Sequence, residues 1–227
     1  MPNSTRRGWL LPTSLILLSL VPVAAGTARV TQLATGAAVT ADNARFFASP
    51  VPVLVHIVAV TVYALLGAFQ FAPGFRRRRP GWHRVAGRVL VPCGLAVALS
   101  GLWMTVFYPK PSGDGPLLTG FRLVFGTAMA ASIVLGFLAV RRRDITRHRA
   151  WMVRGYAIGL GAGTQVFTHL PWVLAGAVPD RVTRAFLMLA GWVINLAVAE
   201  WAIRRGPVRP PRSRTGPPVK VAVTAPR

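Results

Sequence analysis

Six apolar stretches, each close to the length that crosses a bilayer, run along a chain of 227 residues with little between them. They lie near residues 9–26, 51–72, 86–107, 120–140, 151–175 and 184–203. About 20 apolar residues in a helix span the hydrocarbon core. A composition of 53% hydrophobic and 14% charged residues agrees with that reading. The expected fold is therefore all-α, a polytopic membrane bundle of about six transmembrane helices. Any activity has to reside in the bundle or its short loops.

The ends are treated separately. Residues 1–26, with "RRGWLLPTSLILLSLVPVAAG", have the basic start, apolar middle and small-residue end shared by uncleaved anchors and signal peptides, and both readings stay open. Residues 27–205 form the expected bundle. Residues 206–227 are rich in Pro and Arg with little apolar periodicity and read as a disordered basic tail near anionic lipid.

The formal charge of +22 could point to nucleic acid, but the cations are placed otherwise. They cluster at the ends of apolar runs, where membrane topology uses them, so no nucleic-acid partner is expected and membrane lipid is. With alternating spans, 21 basic residues fall on one side and six on the other. That bias puts the loops at 73–85 and 141–150 in the cytoplasm, and both termini too if the first segment is retained. The expected location is the bacterial cytoplasmic membrane. "RRRRPGWHRVAGR" and "RRRDITRHRAWMVR" superpose Arg76 on Arg141, His83 on His148 and Arg84 on Arg149, the pattern of a weak parallel repeat of two helix pairs.

Polar side chains within the spans carry the functional information, because each is costly in hydrocarbon. His83 and His148 begin helices three and five, while His56 and His169 lie toward the other face. Paired histidines on neighbouring helices can hold a b-type heme. His148 and His169 are 21 residues apart, about 31 Å on a straight helix, too far for two stacked hemes. A single heme b near His83 and His148 stays open, against the alternative that these groups contact lipid phosphate and water. His56 is expected to face the bundle.

A second group comprises Gln70, Arg88, Arg154, Tyr156, Asn195 and Glu200. Glu200 is the single carboxylate in a spanning segment, so it should pair with Arg88 or Arg154, either as a helix lock or as the floor of a polar pocket. Glycine stripes at 155, 159 and 163 and at 87, 94 and 101 allow close helix approach or admit a flat ligand such as a porphyrin or quinone. The one cysteine, Cys93, reads as a small core residue, without a disulfide or cysteine metal site.

"HIVAVTVYALLGAFQF", "RRRRPGWHRVAGRVL", "HRAWMVRGYAIGLGAGTQV" and "NLAVAEWAIRR", in this order, resemble the bacterial integral-membrane family known as domain of unknown function 2306. The resemblance runs from about Arg45 to Arg205. Its motif residues here are His56, Gln70, His83, Arg84, Gly87, Arg88, His148, Arg149, Trp151, Met152, Arg154, Tyr156, Asn195 and Glu200. It implies a multi-helix membrane protein and assigns no activity.

The resulting expectation is a non-enzymatic bundle that binds a small molecule or lipid in a polar, cytoplasm-facing pocket, as a transport or sensing component. The alternative is a b-type redox protein. A membrane hydrolase finds no HExxH or GxSxG to support it.

Overall fold

A computed structural model describes residues 3–72 and 78–205, and every regular element among them is a helix. Arg76 and Arg77 of the first arginine run and the basic tail lie outside the described residues. In chain order the helices are α1 (Asn3–Ala34), α2 (Ala44–Ala48), α3 (Pro50–Gln70), α4 (Pro80–Phe107), α5 (Pro116–Arg141), α6 (Ile145–Gly159), α7 (Gly161–Leu174) and α8 (Arg181–Arg204). Proline opens α3, α4 and α5, where its fixed φ favours the first turn and its missing N–H costs nothing. Asp144 and Asp180 cap α6 and α8 by accepting backbone N–H groups.

Five of these helices are long and apolar enough to cross a membrane: α1, from Trp9, with α3, α4, α5 and α8. Each carries large apolar side chains on its outward face, such as Val58, Leu99, Val124 and Val198, so the exterior is suited to hydrocarbon. The fifth expected span, 151–175, is two helices instead of one. α6 and α7 meet at Leu160, whose carbonyl accepts from Gly163 in a tightened turn. Glycines at 155, 159, 161 and 163 weaken helix propensity around this point.

Two helices also start earlier than expected. α4 starts at Pro80 and α6 at Ile145, so His83 and His148 belong to first helical turns, with their N–H groups bonded to Arg79 and Asp144 carbonyls. The two proposed repeat units match at these starts and then diverge, because α4 continues through Pro92 to Phe107 whereas α6 breaks.

The break decides where the centre of the bundle is filled. α6 packs against α5, α8, α3 and α4, while α7 packs against α1 and α8. Beside α6 the core is solid: Tyr156 and Tyr63 lie with ring centroids 5.6 Å apart, and Tyr156 fills the space beside Gly67, and Tyr63 and Ile133 that beside Gly94. At the level of α7 the centre is vacated. We call the end holding the 78–79 and 141–143 arginines the arginine-run end, and the other the far end.

Two backbone irregularities meet where α1 and α7 touch. Pro22 has no N–H to give the Leu18 carbonyl one turn earlier, and α1 continues past it. Gly163 of α7 lies directly against that carbonyl, where a Cβ would collide with it. A weak Cα–H···O contact suits such an approach, and only glycine permits it.

Candidate functional site

At the arginine-run end, the expected polar residues divide into separate contacts. Arg154 holds Glu200 by two parallel hydrogen bonds, Nε to Oε1 at 2.5 Å and Nη2 to Oε2 at 3.1 Å. The Arg154 guanidinium also lies over the Trp151 ring, 4.8 Å from its centroid. This fixes α8 to α6. Arg149 adds a bond from Nη2 to the Ala202 carbonyl at 3.3 Å. Arg84 and Arg88 are exposed on α4, and neither forms an ion pair among the described residues.

Tyr156 is buried, its hydroxyl donating to the Ala64 carbonyl at 2.6 Å. Gln70 ends α3 with its amide nitrogen buried and unbonded among the described residues. His148 Nδ1 lies 2.8 Å from the Gly136 carbonyl on α5, which can only accept, so Nδ1 carries the proton. His83 stands in the first turn of α4. A shallow groove beside Glu200 is lined by Ala197, Trp201, Arg204 and Arg205, all of them on α8 or next to its end.

Asn195 has a different task from lining a pocket. Its amide nitrogen donates to the Ala157 carbonyl at 3.1 Å, and its oxygen accepts from Thr164 at 2.6 Å. It thus clasps both sides of the Leu160 break. On the same face of α8, Gly191 and Trp192 receive Gly161 at close range.

The larger space is at the far end, in the centre that α7 leaves free. A cavity of about 500 Å³ is lined from all the long helices. Its chamber is apolar, with Val60, Met104, Phe125, Met129 and Trp192. Its rim carries four cations, Arg45, Lys110, Arg122 and Arg184, and one carboxylate, Asp114. This volume lies within the roughly 300–1,000 Å³ usual for small-molecule sites.

Asp114 organises the rim. Its side chain is only 1% exposed, and its two oxygens accept separately from Arg122 Nη1 at 2.5 Å and Arg184 Nε at 3.1 Å. The connector is held further by Arg181, whose Nε donates to the Ser112 carbonyl at 3.0 Å. The Arg29 and Arg45 guanidinium groups each lie over the Phe46 ring, 4.4 and 4.6 Å from its centroid. Burial lowers the Arg45 pKa, against the opposing pull of Asp114.

His56 is the one histidine that lines the chamber among the described residues. Its Nδ1 lies 3.1 Å from the Val97 carbonyl and 3.0 Å from Ser100 Oγ. The carbonyl can only accept, and the serine hydroxyl already donates to Ala96, so Nδ1 is the protonated nitrogen. Nε2 then presents a lone pair in the neutral ring, and no described residue bonds it. His169 is turned to its own helix, with Nδ1 2.8 Å from the Gln165 carbonyl, and does not line the cavity. Among the described residues no three His, Cys, Asp or Glu side chains group as a metal site.

The profile of the family described as "Predicted membrane protein (DUF2306)" matches residues 53–203. The chain belongs to that family. Neither a curated protein nor a solved structure matches it. The DUF2306 match covers α3 to nearly the end of α8, so the clasped break, the Arg154–Glu200 pair, His56 and Asp114 all fall within the family region.

Sequence reasoning singled out His56 but gave it no partners; it counted Arg45, Lys110, Arg122 and Arg184 only as basic residues of the far face and gave Asp114 no role. One signal was available. Asp114 is one of only five acidic residues, set in a short connector on a face with six basic ones.

Proposed function

We propose that this DUF2306 protein is a non-enzymatic, multi-pass membrane protein that binds a small molecule in the far-end cavity. The observation that carries the reading is the cavity itself, an apolar chamber with a fixed histidine and a charged rim, set where a broken helix leaves the bundle axis. Convergent polar groups around an apolar hollow are the usual form of a ligand site. By the basic-residue bias the arginine-run end is cytoplasmic, so the mouth opens on the opposite side of the membrane.

The single native cysteine makes a direct test practical. In a Cys93→Ala background, Thr105→Cys places a thiol in the cavity wall. A membrane-impermeant maleimide added to intact cells is expected to label it. A further substitution, Val60→Trp, should fill the chamber and slow labelling. No labelling from outside, with labelling in inside-out vesicles, would reverse the orientation; no labelling from either side removes the open cavity.

A further inference from the structure

The rim and the chamber specify different parts of one ligand. Two of the rim's four cations, Arg122 and Arg184, are neutralised in part because they share Asp114, while Arg45 and Lys110 have no carboxylate within ion-pair distance among the described residues. A low-dielectric hollow strengthens the field of such a cluster, so the rim favours negative charge. Below it the walls are apolar and accept a chain or ring. At His56 the fixed tautomer leaves an acceptor nitrogen, which asks for a hydrogen-bond donor.

We infer that the ligand is an amphiphilic anion, with a carboxylate or phosphate at Arg45 and Lys110 and a hydroxyl or N–H group that donates to His56 Nε2. The inference rests on the binding role proposed above. A cation would be repelled at the rim, and a plain alcohol would forgo it. A ligand lacking a donor would leave the Nε2 lone pair facing hydrocarbon, which discriminates against it. The acid could reach the cavity from the membrane, as a lipid headgroup, or from the aqueous side; the chemistry recognised is the same.

The test uses protection of Thr105→Cys in the Cys93→Ala background, with the full chain in nanodiscs of zwitterionic lipid. Decanoate is expected to slow maleimide labelling at about tenfold lower concentration than decyltrimethylammonium, and the preference should shrink in Arg45→Gln and Lys110→Gln. The gap should narrow with added salt. 10-Hydroxydecanoate is expected to protect about fivefold better than decanoate, the increment of one hydrogen bond. That advantage should vanish in His56→Leu and persist in part in His56→Gln, which keeps an acceptor.

Nanodiscs containing phosphatidylglycerol separate the sources: protection without added decanoate marks a lipid acid, and unchanged labelling marks a soluble one. Labelling that either charge slows equally, or that the cation slows more, overturns the anion assignment and leaves the cavity role standing. Equal protection by the two acids overturns the His56 contact. If Thr105→Cys labels but neither charge protects it, the binding role falls with the inference.

Discussion

The amide nitrogen of Asn195 donates to the main-chain carbonyl of Ala157 at 3.1 Å, across the interface between α8 and α6. In an unbroken helix that carbonyl would be bonded within the helix, so Asn195 acts as a side-chain splint at the break. Asn195→Leu removes both the donor and the acceptor used by Thr164. It is expected to lower stability by about 1–3 kcal/mol, and Thr164→Val by about 1 kcal/mol. Thermal unfolding of the two single variants and the double variant checks this: the losses should be less than additive, because the residues share one contact.

Gly163→Ala should be costly for a reason unrelated to helix propensity, which alanine improves. The added methyl meets the Leu18 carbonyl, a backbone atom that cannot rotate away. Overpacking of about 1–3 kcal/mol is expected. Gly87→Ala, on α4 with nothing near its notional Cβ, should instead be neutral or stabilising. Equal effects of the two substitutions on thermal stability would contradict the tight α1–α7 approach.

Asp114→Asn keeps the shape of the rim and removes its one carboxylate. Arg122 and Arg184 then lose the charge they share, and one of them exchanges its acceptor oxygen for an amide NH2 that can only donate. Because both are about a third exposed, the cost should fall below the roughly 3–5 kcal/mol of a fully buried pair broken on one side, at about 2 kcal/mol. Urea unfolding reads this directly. Exchange at the 109–115 connector should rise before that of the helices.

The α8 cap gives a pH dependence. Asp180 is held below its ordinary pKa first by the Thr183 hydroxyl, then by the N–H groups of Thr183 and Val182. A depressed carboxyl pKa means stability present above the unfolded value and lost as pH falls through the folded one. Protection of the Val182 and Thr183 amides, measured against the intrinsic exchange rate at each pH, should therefore be high at neutral pH and fall once the pH drops below the usual aspartate range. Asp180→Ala should abolish that acid dependence.

Purified protein is expected to show no stoichiometric b-type heme in its reduced-minus-oxidised spectrum. His148 is bonded to the Gly136 carbonyl, and Gly136 itself is covered by Met152 and Trp151, so α5 and α6 meet side chain to backbone at this level. A porphyrin would have to part them. A one-to-one heme signal lost in His83→Ala or His148→Ala would refute this.

The helical outline of the molecule was legible from the sequence because hydropathy is a local signal. The Arg154–Glu200 pair was legible too, since a single carboxylate in hydrocarbon narrows its own choice of partner. The break at Leu160 was not. Gly155, Gly159 and Gly163 carry the same signature whether a helix packs tightly or changes direction, and the deciding contacts come from Asn195 and Trp192, more than thirty residues away. The cavity was illegible for a related reason: Val60, Met104 and Phe125 are ordinary apolar residues until the path of α7 leaves them facing a hollow. Asn195 and Tyr156, read from the sequence as pocket groups, are placed as a splint and a core filler.

The closure of the bundle by Tyr63, Tyr156 and Ile133 has an electrical consequence. A transmembrane voltage falls mainly across the layer that water and ions do not enter, because a wetted hollow is nearly equipotential with the solution it opens to. In this bundle that layer is the tyrosine-packed half. His56 and the rim cations sit on the other side of it and would feel only a small fraction of the field, so occupancy of the hollow should follow the concentration outside its mouth and be almost indifferent to membrane potential.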